Sequence, residues 1–187
     1  DIQIIYNNHT RKLGTQKHSR GGAGRPVEKG GIPIDDWELT AHGLFSAIKA
    51  LESRDETLDL SRTKFIVQGF GNVGAPTALK LQESGATLVG ASDINIALWN
   101  PNGLDVQALD KIRRNPGGLN NYPFEVNRKF SSDKLDWLLE APCDILIPSA
   151  RPDAITPRNM DRIQCRYVSQ GANTPSSNPV DYYFHTR

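Results

Sequence analysis

Short apolar runs and amphipathic stretches alternate along most of the chain. Residues 64–68 and 86–92 are apolar runs with the length and composition that are typical of strands. Between them, residues 73–84 place apolar side chains at helical spacing and are followed by Gly85. This stretch of the sequence therefore predicts a strand, a helix and a second strand in succession.

The same alternation continues on both sides of this unit. Upstream, the spacing of Leu39, Leu44, Ile48 and Leu51 predicts a helix from about residue 36 to residue 51. Downstream, the pattern predicts helices over about 104–114, 132–139 and 158–163, strands at 144–147 and 166–169, and short strands or turns over 122–130. Such alternation predicts an α/β fold, a Rossmann-like doubly wound, mainly parallel sheet with helices on both faces.

Polar, glycine-rich sequence lies at the start of the chain. Residues 1–35 contain two glycine clusters, and we expect a short element around residues 2–6 followed by an irregular connector. Residues 36–187 are predicted to form one domain, within which the Pro/Ser-rich stretch 174–187 is expected to be a connection.

Composition narrows the classes of function. The charges nearly balance, with 22 Lys and Arg against 21 Asp and Glu, so no nucleic-acid partner is expected. A basic arm within the first forty residues is conceivable, but few aromatic residues lie among its cations, which favours a solvated surface. No apolar stretch approaches the roughly 18 residues of a membrane span. We therefore expect a soluble cytoplasmic protein that contacts neither nucleic acid nor membrane.

Two cysteines, Cys143 and Cys165, are too few for a disulfide framework or a zinc site. Both lie beside apolar runs, so free buried thiols are expected, and these suit a reducing compartment. No metal site is predicted.

The most informative stretch is the glycine-rich turn after the first strand. Residues 69–74 comprise Gly69, Phe70, Gly71, Asn72, Val73 and Gly74, the G-x-G-x-x-G spacing of a dinucleotide-binding turn. One glycine makes the turn, the second admits a pyrophosphate, and the third lets the helix pack on the strand. Because the helix N-terminus offers unpaired amides, this turn predicts a phosphate-binding site.

Asp93 ends the second predicted strand, roughly 20 residues beyond the glycines, where such folds place an acceptor for the adenosine ribose. A carboxylate there repels a 2′-phosphate, and residues 94–96 supply no cation. The sequence therefore favours NAD over NADP. The alternative is that Asp93 caps a turn.

Several motifs after the strands together resemble the second domain of the glutamate dehydrogenase family, the Glu/Leu/Phe/Val dehydrogenases. Residues 68–74 match its QGFGNVG loop, and 143–150 (CDILIPSA) with 171–173 (GAN) resemble its CDILIPAA and GAN-x-P segments. Residues 21–31 resemble the loop before its nucleotide domain, and 31–44 the helix that faces the nicotinamide. The similarity covers nearly the whole chain from about Gly21.

The resemblance implies further cofactor contacts. Thr40 would bond the nicotinamide carboxamide, Ser149 and Ala150 would line the nicotinamide ribose, and Asn173 would bond the ribose or the carboxamide. Two alternatives remain open: Thr40 can bond its own helix backbone, and Asn173 can be a left-handed turn residue. His42 and Lys29 are not expected to be catalytic, and no catalytic residue is assigned to this chain.

The chain also departs from the family pattern. The earlier substrate domain, with its catalytic Lys and Asp, has no counterpart here, the nicotinamide-side motif reads LTAHG with Ala41 for a glycine, and the chain stops at Arg187. We therefore expect an excised cofactor domain of an amino-acid dehydrogenase, inactive alone. The whole enzyme would be a homo-oligomer that deaminates an amino acid, glutamate first, to a 2-oxo acid and ammonia.

Two other functions were weighed. A stand-alone, non-catalytic NAD-binding or regulatory module remains the alternative. A short-chain dehydrogenase is disfavoured because none of the five tyrosines begins a Tyr-x-x-x-Lys pair.

Overall fold

The computed structural model describes residues 27–186. Contacts divide the chain into two compact units, Asp1–Leu39 and Thr40–Arg187. In the first unit, the described part contains a short 3₁₀ helix at Val27–Lys29 and turns closed by bonds such as Trp37 N to Pro33 O at 3.0 Å. The element predicted around residues 2–6 and the cations of the basic stretch before residue 27 lie outside the described residues.

Helices and strands alternate through most of the described chain. The α-helices are α1 (Leu39–Glu52), α2 (Gly74–Glu83), α3 (Val106–Ile112) and α4 (Asn178–Thr186). Further 3₁₀ helices lie at Leu60–Arg62, Gly118–Asn121, Ser132–Glu140 and Met160–Arg162. The strands are β1 (Lys64–Gln68), β2 (Thr87–Ser92), β3 (Ile96–Trp99), β4 (Arg128–Ser131), β5 (Ile145–Pro148) and β6 (Tyr167–Val168).

The six strands form one mixed sheet in the order β4-β3-β2-β1-β5-β6. The four strands β2, β1, β5 and β6 are parallel, whereas β3 and β4 are antiparallel to their neighbours. The predicted α/β class with a mainly parallel core is confirmed. The strand β3 was not predicted, because it follows β2 after a short turn with no helix between them.

Both faces of the sheet are covered. Along β1, Phe65 and Val67 belong to one buried cluster with α1, α2 and α3, while Ile66 belongs to another. The second cluster includes Leu138 and Leu139 of the 3₁₀ helix Ser132–Glu140. Successive side chains of a strand point to opposite faces, so β1 is buried from both sides. The predicted cover of helices on both faces is confirmed.

The predicted helix over about 104–114 spans only Val106–Ile112, the predicted helices over 132–139 and 158–163 are 3₁₀ helices, and the last strand is shorter than predicted. Two further segments differ for clear physical reasons. Helix α1 begins at Leu39 rather than near residue 36, since Glu38 has φ 51°, a left-handed conformation that an α-helix cannot contain. The stretch predicted as a C-terminal connection forms α4, in which Val180 is fully buried. Pro179 does not break this helix because it lies in the first turn, where its amide would be unpaired in any case.

In the part of the chain that the structure describes, no helix is both long and apolar enough to cross a membrane.

Candidate functional site

The three glycines of the turn after β1 differ in what surrounds them. Gly69 has φ 92°, and a Cβ there would lie 2.8 Å from Ala150. A Cβ on Gly74 would lie 2.1 Å from the Gly69 carbonyl oxygen and 2.6 Å from Val67 Cγ1. Gly71 instead faces open space, since no atom of residues 27–186 other than its chain neighbours lies within 4 Å of the position of a Cβ. The outer glycines thus serve the turn and the helix packing, and the middle one leaves room for a ligand.

The turn is fixed at one end and open at the other. The amides of Gly69 and Phe70 donate to the Ser92 carbonyl oxygen at 3.1 and 2.7 Å, which ties the turn to β2. The amides of Gly71, Asn72 and Val73 donate to no acceptor among residues 27–186, and no side chain caps α2. Open amides at a helix N-terminus, with the helix dipole behind them, form a ready anion-binding site.

A cleft of about 640 Å³ opens in front of this turn, at the carboxyl ends of β1, β2 and β5. That volume lies within the range of ligand pockets, and that edge of the sheet is where α/β folds bind ligands. The structure brings six of the predicted residues together along it: Gly69, Phe70, Gly71, Asp93, Ser149 and Ala150. Asn72, Val73 and Gly74 complete the same turn.

Asp93 lines the cleft, but its carboxylate also holds the surrounding backbone. Oδ1 accepts hydrogen bonds from the amides of Asn95 and Ile96 at 2.8 and 2.9 Å, and Oδ2 accepts one from Leu119 at 2.8 Å. Gly118 approaches so closely that a Cβ would lie 2.4 Å from Oδ2. A carboxylate has about four acceptor positions, so one remains for a ligand hydroxyl.

Two buried polar atoms at the ends of β1 and β5 have no hydrogen-bond partner among residues 27–186. Gln68 is 4% exposed, and its Oε1 is buried without a donor among the described residues. The Ser149 hydroxyl is likewise buried and unpaired in that part of the chain, although its amide donates to the Gln68 carbonyl at 2.7 Å. Unpaired buried polar atoms are costly, and both residues line the cleft.

Thr40 and Asn173 are not among the residues that line the cleft. Thr40 is exposed in the first turn of α1, and Asn173 is exposed in the loop after β6. In that loop the left-handed residue is Thr174, with φ 46°, rather than Asn173. The contacts that the family resemblance implies for Thr40 and Asn173 thus stay predictions.

Charged side chains that the sequence analysis did not predict also line the cleft: Arg113, Asp136 and Arg151. Arg151 pairs with Asp136 at 3.0 Å, and Arg113 extends from the end of α3 towards the turn after β1. The position of Arg151 directly after Ala150 was a usable signal. No local pattern marks Arg113, which lies 41 residues beyond the turn that it contacts.

Neither metal nor thiol chemistry is indicated at this site. Within residues 27–186, no three His, Cys, Asp or Glu side chains come together in a group that could hold a metal ion. Neither Cys143 nor Cys165 forms a disulfide within the described residues, and burial raises the pKa of the Cys143 thiol well above its usual range. That thiol stays protonated at neutral pH and is a poor nucleophile.

The sequence is similar to one known family of enzymes. The model of the Glutamate/Leucine/Phenylalanine/Valine dehydrogenase family matches residues 30–187. A glutamate dehydrogenase of Aeropyrum pernix and an NADP-specific one of Saccharolobus shibatae are each 34% identical over 84% of this chain and 36% of their own length. A catabolic NAD-specific glutamate dehydrogenase of Bacillus subtilis is 34% identical over 82% of this chain and 34% of its own. The chain spans about a third of the length of these relatives.

Solved structures share the fold. A glutamate dehydrogenase of Plasmodium falciparum superposes with a TM-score of 0.72 at 21% identity, over 99% of this chain and 40% of that protein. The hetero-hexameric glutamate dehydrogenase of Thermus thermophilus superposes with a TM-score of 0.67 at 24% identity, over 97% of this chain and 41% of that protein.

Proposed function

The chain belongs to the Glu/Leu/Phe/Val dehydrogenase family, and from that premise we propose that residues 36–187 are the nicotinamide-dinucleotide-binding domain of an amino-acid dehydrogenase. One observation carries the proposal. The amides of Gly71, Asn72 and Val73 have no acceptor in the described chain, and Gly71 lines a cleft in which it leaves space for a diphosphate.

The cleft residues fit the parts of a dinucleotide. The open amides and the N-terminus of α2 would hold the diphosphate. The remaining acceptor position of Asp93 would take a ribose hydroxyl of the adenosine. The small residues Ser149 and Ala150 would admit the nicotinamide ribose, whose hydroxyls could pair with the Ser149 hydroxyl. Thr40 and Asn173 would contact the nicotinamide side, as the family resemblance implies.

The reaction that fits this domain is oxidative deamination, with glutamate as the first candidate substrate because the relatives are glutamate dehydrogenases. When bound, the nicotinamide would accept the hydride from the substrate α-carbon. This chain would contribute orientation of the cofactor, which can supply a large part of the rate enhancement. The groups that activate water and move protons, a Lys and an Asp, would belong to a separate substrate domain, so residues 27–186 would be inactive alone.

The choice between NAD and NADP is part of the proposal, since relatives of both specificities exist. We favour NAD because the Asp93 carboxylate lies at the C-terminal end of β2, where it would repel the 2′-phosphate of NADP. The three backbone donors to Asp93 reduce that repulsion. We therefore expect a preference for NAD rather than exclusion of NADP.

The proposal extends to the oligomeric state and the compartment of the whole protein. We propose a homo-oligomer for the whole protein, as the family resemblance implies. A reducing cytoplasm would suit a chain in which neither Cys143 nor Cys165 forms a disulfide within residues 27–186.

The test is a fluorescence titration of the chain with NADH and with NADPH. We expect saturable binding of both, with NADH binding more tightly. Absence of binding for both nucleotides at millimolar concentration would refute the proposal. Dehydrogenase turnover by this chain alone would refute the assignment of catalysis to a separate domain.

A further inference from the structure

Arg113 occupies an unusual position for a helix-terminal arginine. It follows the last residue of α3, and its side chain is only 12% exposed. Its Nε donates to Asp110 Oδ1 at 2.6 Å, three residues earlier in the same helix. This bond holds the guanidinium at its Nε and leaves the donors of both Nη atoms without a bond to Asp110.

The Nη1 atom of the guanidinium faces the turn after β1. Arg113 Nη1 lies 3.5 Å from the side-chain oxygen of Asn72, and Arg113 lines the cleft together with Gly71 and Asp93. The amide of Asn72 is one of those without an acceptor in the described chain. The cation therefore lies beside the donors that are expected to hold a phosphate.

The hydrogen-bonding capacity of Arg113 is incompletely used. Its Nη2 donates to no residue among 27–186, and the bond from Nη1 to Asn72 is at the long limit for a hydrogen bond. A guanidinium presents its donors as a rigid fork that matches two oxygens of a phosphate. Because the side chain is largely buried, such a contact would be screened less than one at an exposed site.

We propose that Arg113 is a phosphate-binding residue of the cleft, which adds a charged contact to the backbone amides of the turn after β1. This inference rests on the proposed function, because it takes the ligand to be a nicotinamide dinucleotide. Contact with Asn72 places Arg113 at the diphosphate, which NADH and NADPH share. Arg113 also lines the cleft together with Asp93, where the adenosine ribose is expected. The 2′-phosphate of NADPH is therefore the second phosphate that Arg113 would be able to bind.

The experiment compares Arg113→Gln with Arg114→Gln in the full chain. Arg114 is the adjacent residue, is exposed and is not among the cleft residues, so its variant removes the same charge from the same segment. Binding of NADH, NADPH and ADP-ribose would be measured by fluorescence and by competition, and adenosine would serve as a probe without phosphate. Thermal unfolding of each variant would report the fold, and Arg113→Lys would test whether a point charge is sufficient.

If Arg113 contacts the diphosphate, Arg113→Gln should weaken the binding of NADH, NADPH and ADP-ribose by about tenfold each. This is the loss expected for one charge-assisted contact. Arg114→Gln should bind these three nucleotides as tightly as the wild type does, and neither variant should change the affinity for adenosine. Arg113→Lys should recover part of the loss. Weaker binding of NADPH alone would support the 2′-phosphate as the group that Arg113 contacts.

Two results would overturn the inference. One is an Arg113→Gln variant that binds every phosphate-bearing probe as tightly as Arg114→Gln does. The other is an equal loss for adenosine, which would show that Arg113 only shapes the cleft. A wild-type chain that binds no nucleotide would instead refute the proposed function itself.

Discussion

The turns after β1 and β2 lie side by side at one edge of the sheet, yet they use their polar groups in opposite ways. After β1, the amides of Gly71, Asn72 and Val73 have no acceptor in the described chain. After β2, the Asp93 carboxylate accepts three backbone hydrogen bonds. The first turn leaves three amides available to a ligand, whereas the second uses most of its acceptor capacity to hold its own backbone.

This contrast teaches that a polar residue at a strand end is not by itself a binding residue. Two of the donors to Asp93 are local, at Asn95 and Ile96, as expected for a turn cap. The third is Leu119, which lies 26 residues away. Both interpretations of Asp93 in the sequence analysis, a ribose acceptor and a turn cap, are compatible with this geometry, but the capping bonds are the ones that the structure contains.

The largest expected effect is on stability at Gly74. In Gly74→Ala the new methyl group would collide with the Gly69 carbonyl and Val67. We expect a loss of about 3 kcal/mol in the free energy of unfolding, at the upper end of overpacking costs. Urea denaturation measures this loss. A variant as stable as the wild type would show that the packing of α2 on β1 tolerates a side chain here.

Removal of the Asp93 carboxylate should have the second-largest effect on stability. Asp93→Ala leaves the amides of Ile96 and Leu119 without their acceptor, and we expect a loss of about 2 kcal/mol in the free energy of unfolding. Asp93→Asn keeps one carbonyl oxygen and should lose about half as much. Urea denaturation of both variants would check this order. Unchanged stability in Asp93→Ala, together with loss of NADH binding, would reverse the roles assigned to the two turns.

Gly71 should show the opposite behaviour to Asp93. A Cβ at Gly71 meets no protein atom within 4 Å, so Gly71→Ala should leave the melting temperature nearly unchanged. The methyl group would occupy the space of the diphosphate, and we expect NADH to bind at least about tenfold more weakly, a cost near 1.4 kcal/mol. Fluorescence titration measures the affinity. Equal affinity in Gly71→Ala would argue against a phosphate in front of this turn.

The smallest effect is expected far from both turns, at Asp55. Hydrogen bonds from the Thr57 hydroxyl and from Tyr167, with Arg166 nearby, hold the pKa of this carboxyl well below its usual range. A lowered pKa in the folded state stabilises the fold above the ordinary carboxyl pKa of about 4, and this contribution is lost as the pH falls below it. Asp55→Asn should therefore flatten the decline in unfolding free energy as the pH falls from about 5 to about 2, while NADH binding at pH 7 should not change.

The sequence was sufficient for the elements that are specified locally. The bounds of β1, the start of α2 and the glycine turn follow from the apolar run 64–68 and the three glycines, and the structure contains them nearly as predicted. The strand β3 and the helix α4 were missed, because a four-residue apolar stretch and a Pro-containing segment carry weak periodicity. Arg113 could not be found either, since only the packing of α3 beside the turn brings it to Asn72.

The most direct test of the central claim is to follow the amide signals of Gly71, Asn72 and Val73 by NMR while NADH is added. We predict large, saturable shifts at these three amides, with smaller shifts at Asn95 and Ile96, whose amides are already bonded to Asp93. Saturation of the chain with NADH while the signals of residues 71–73 stay in place would contradict the account.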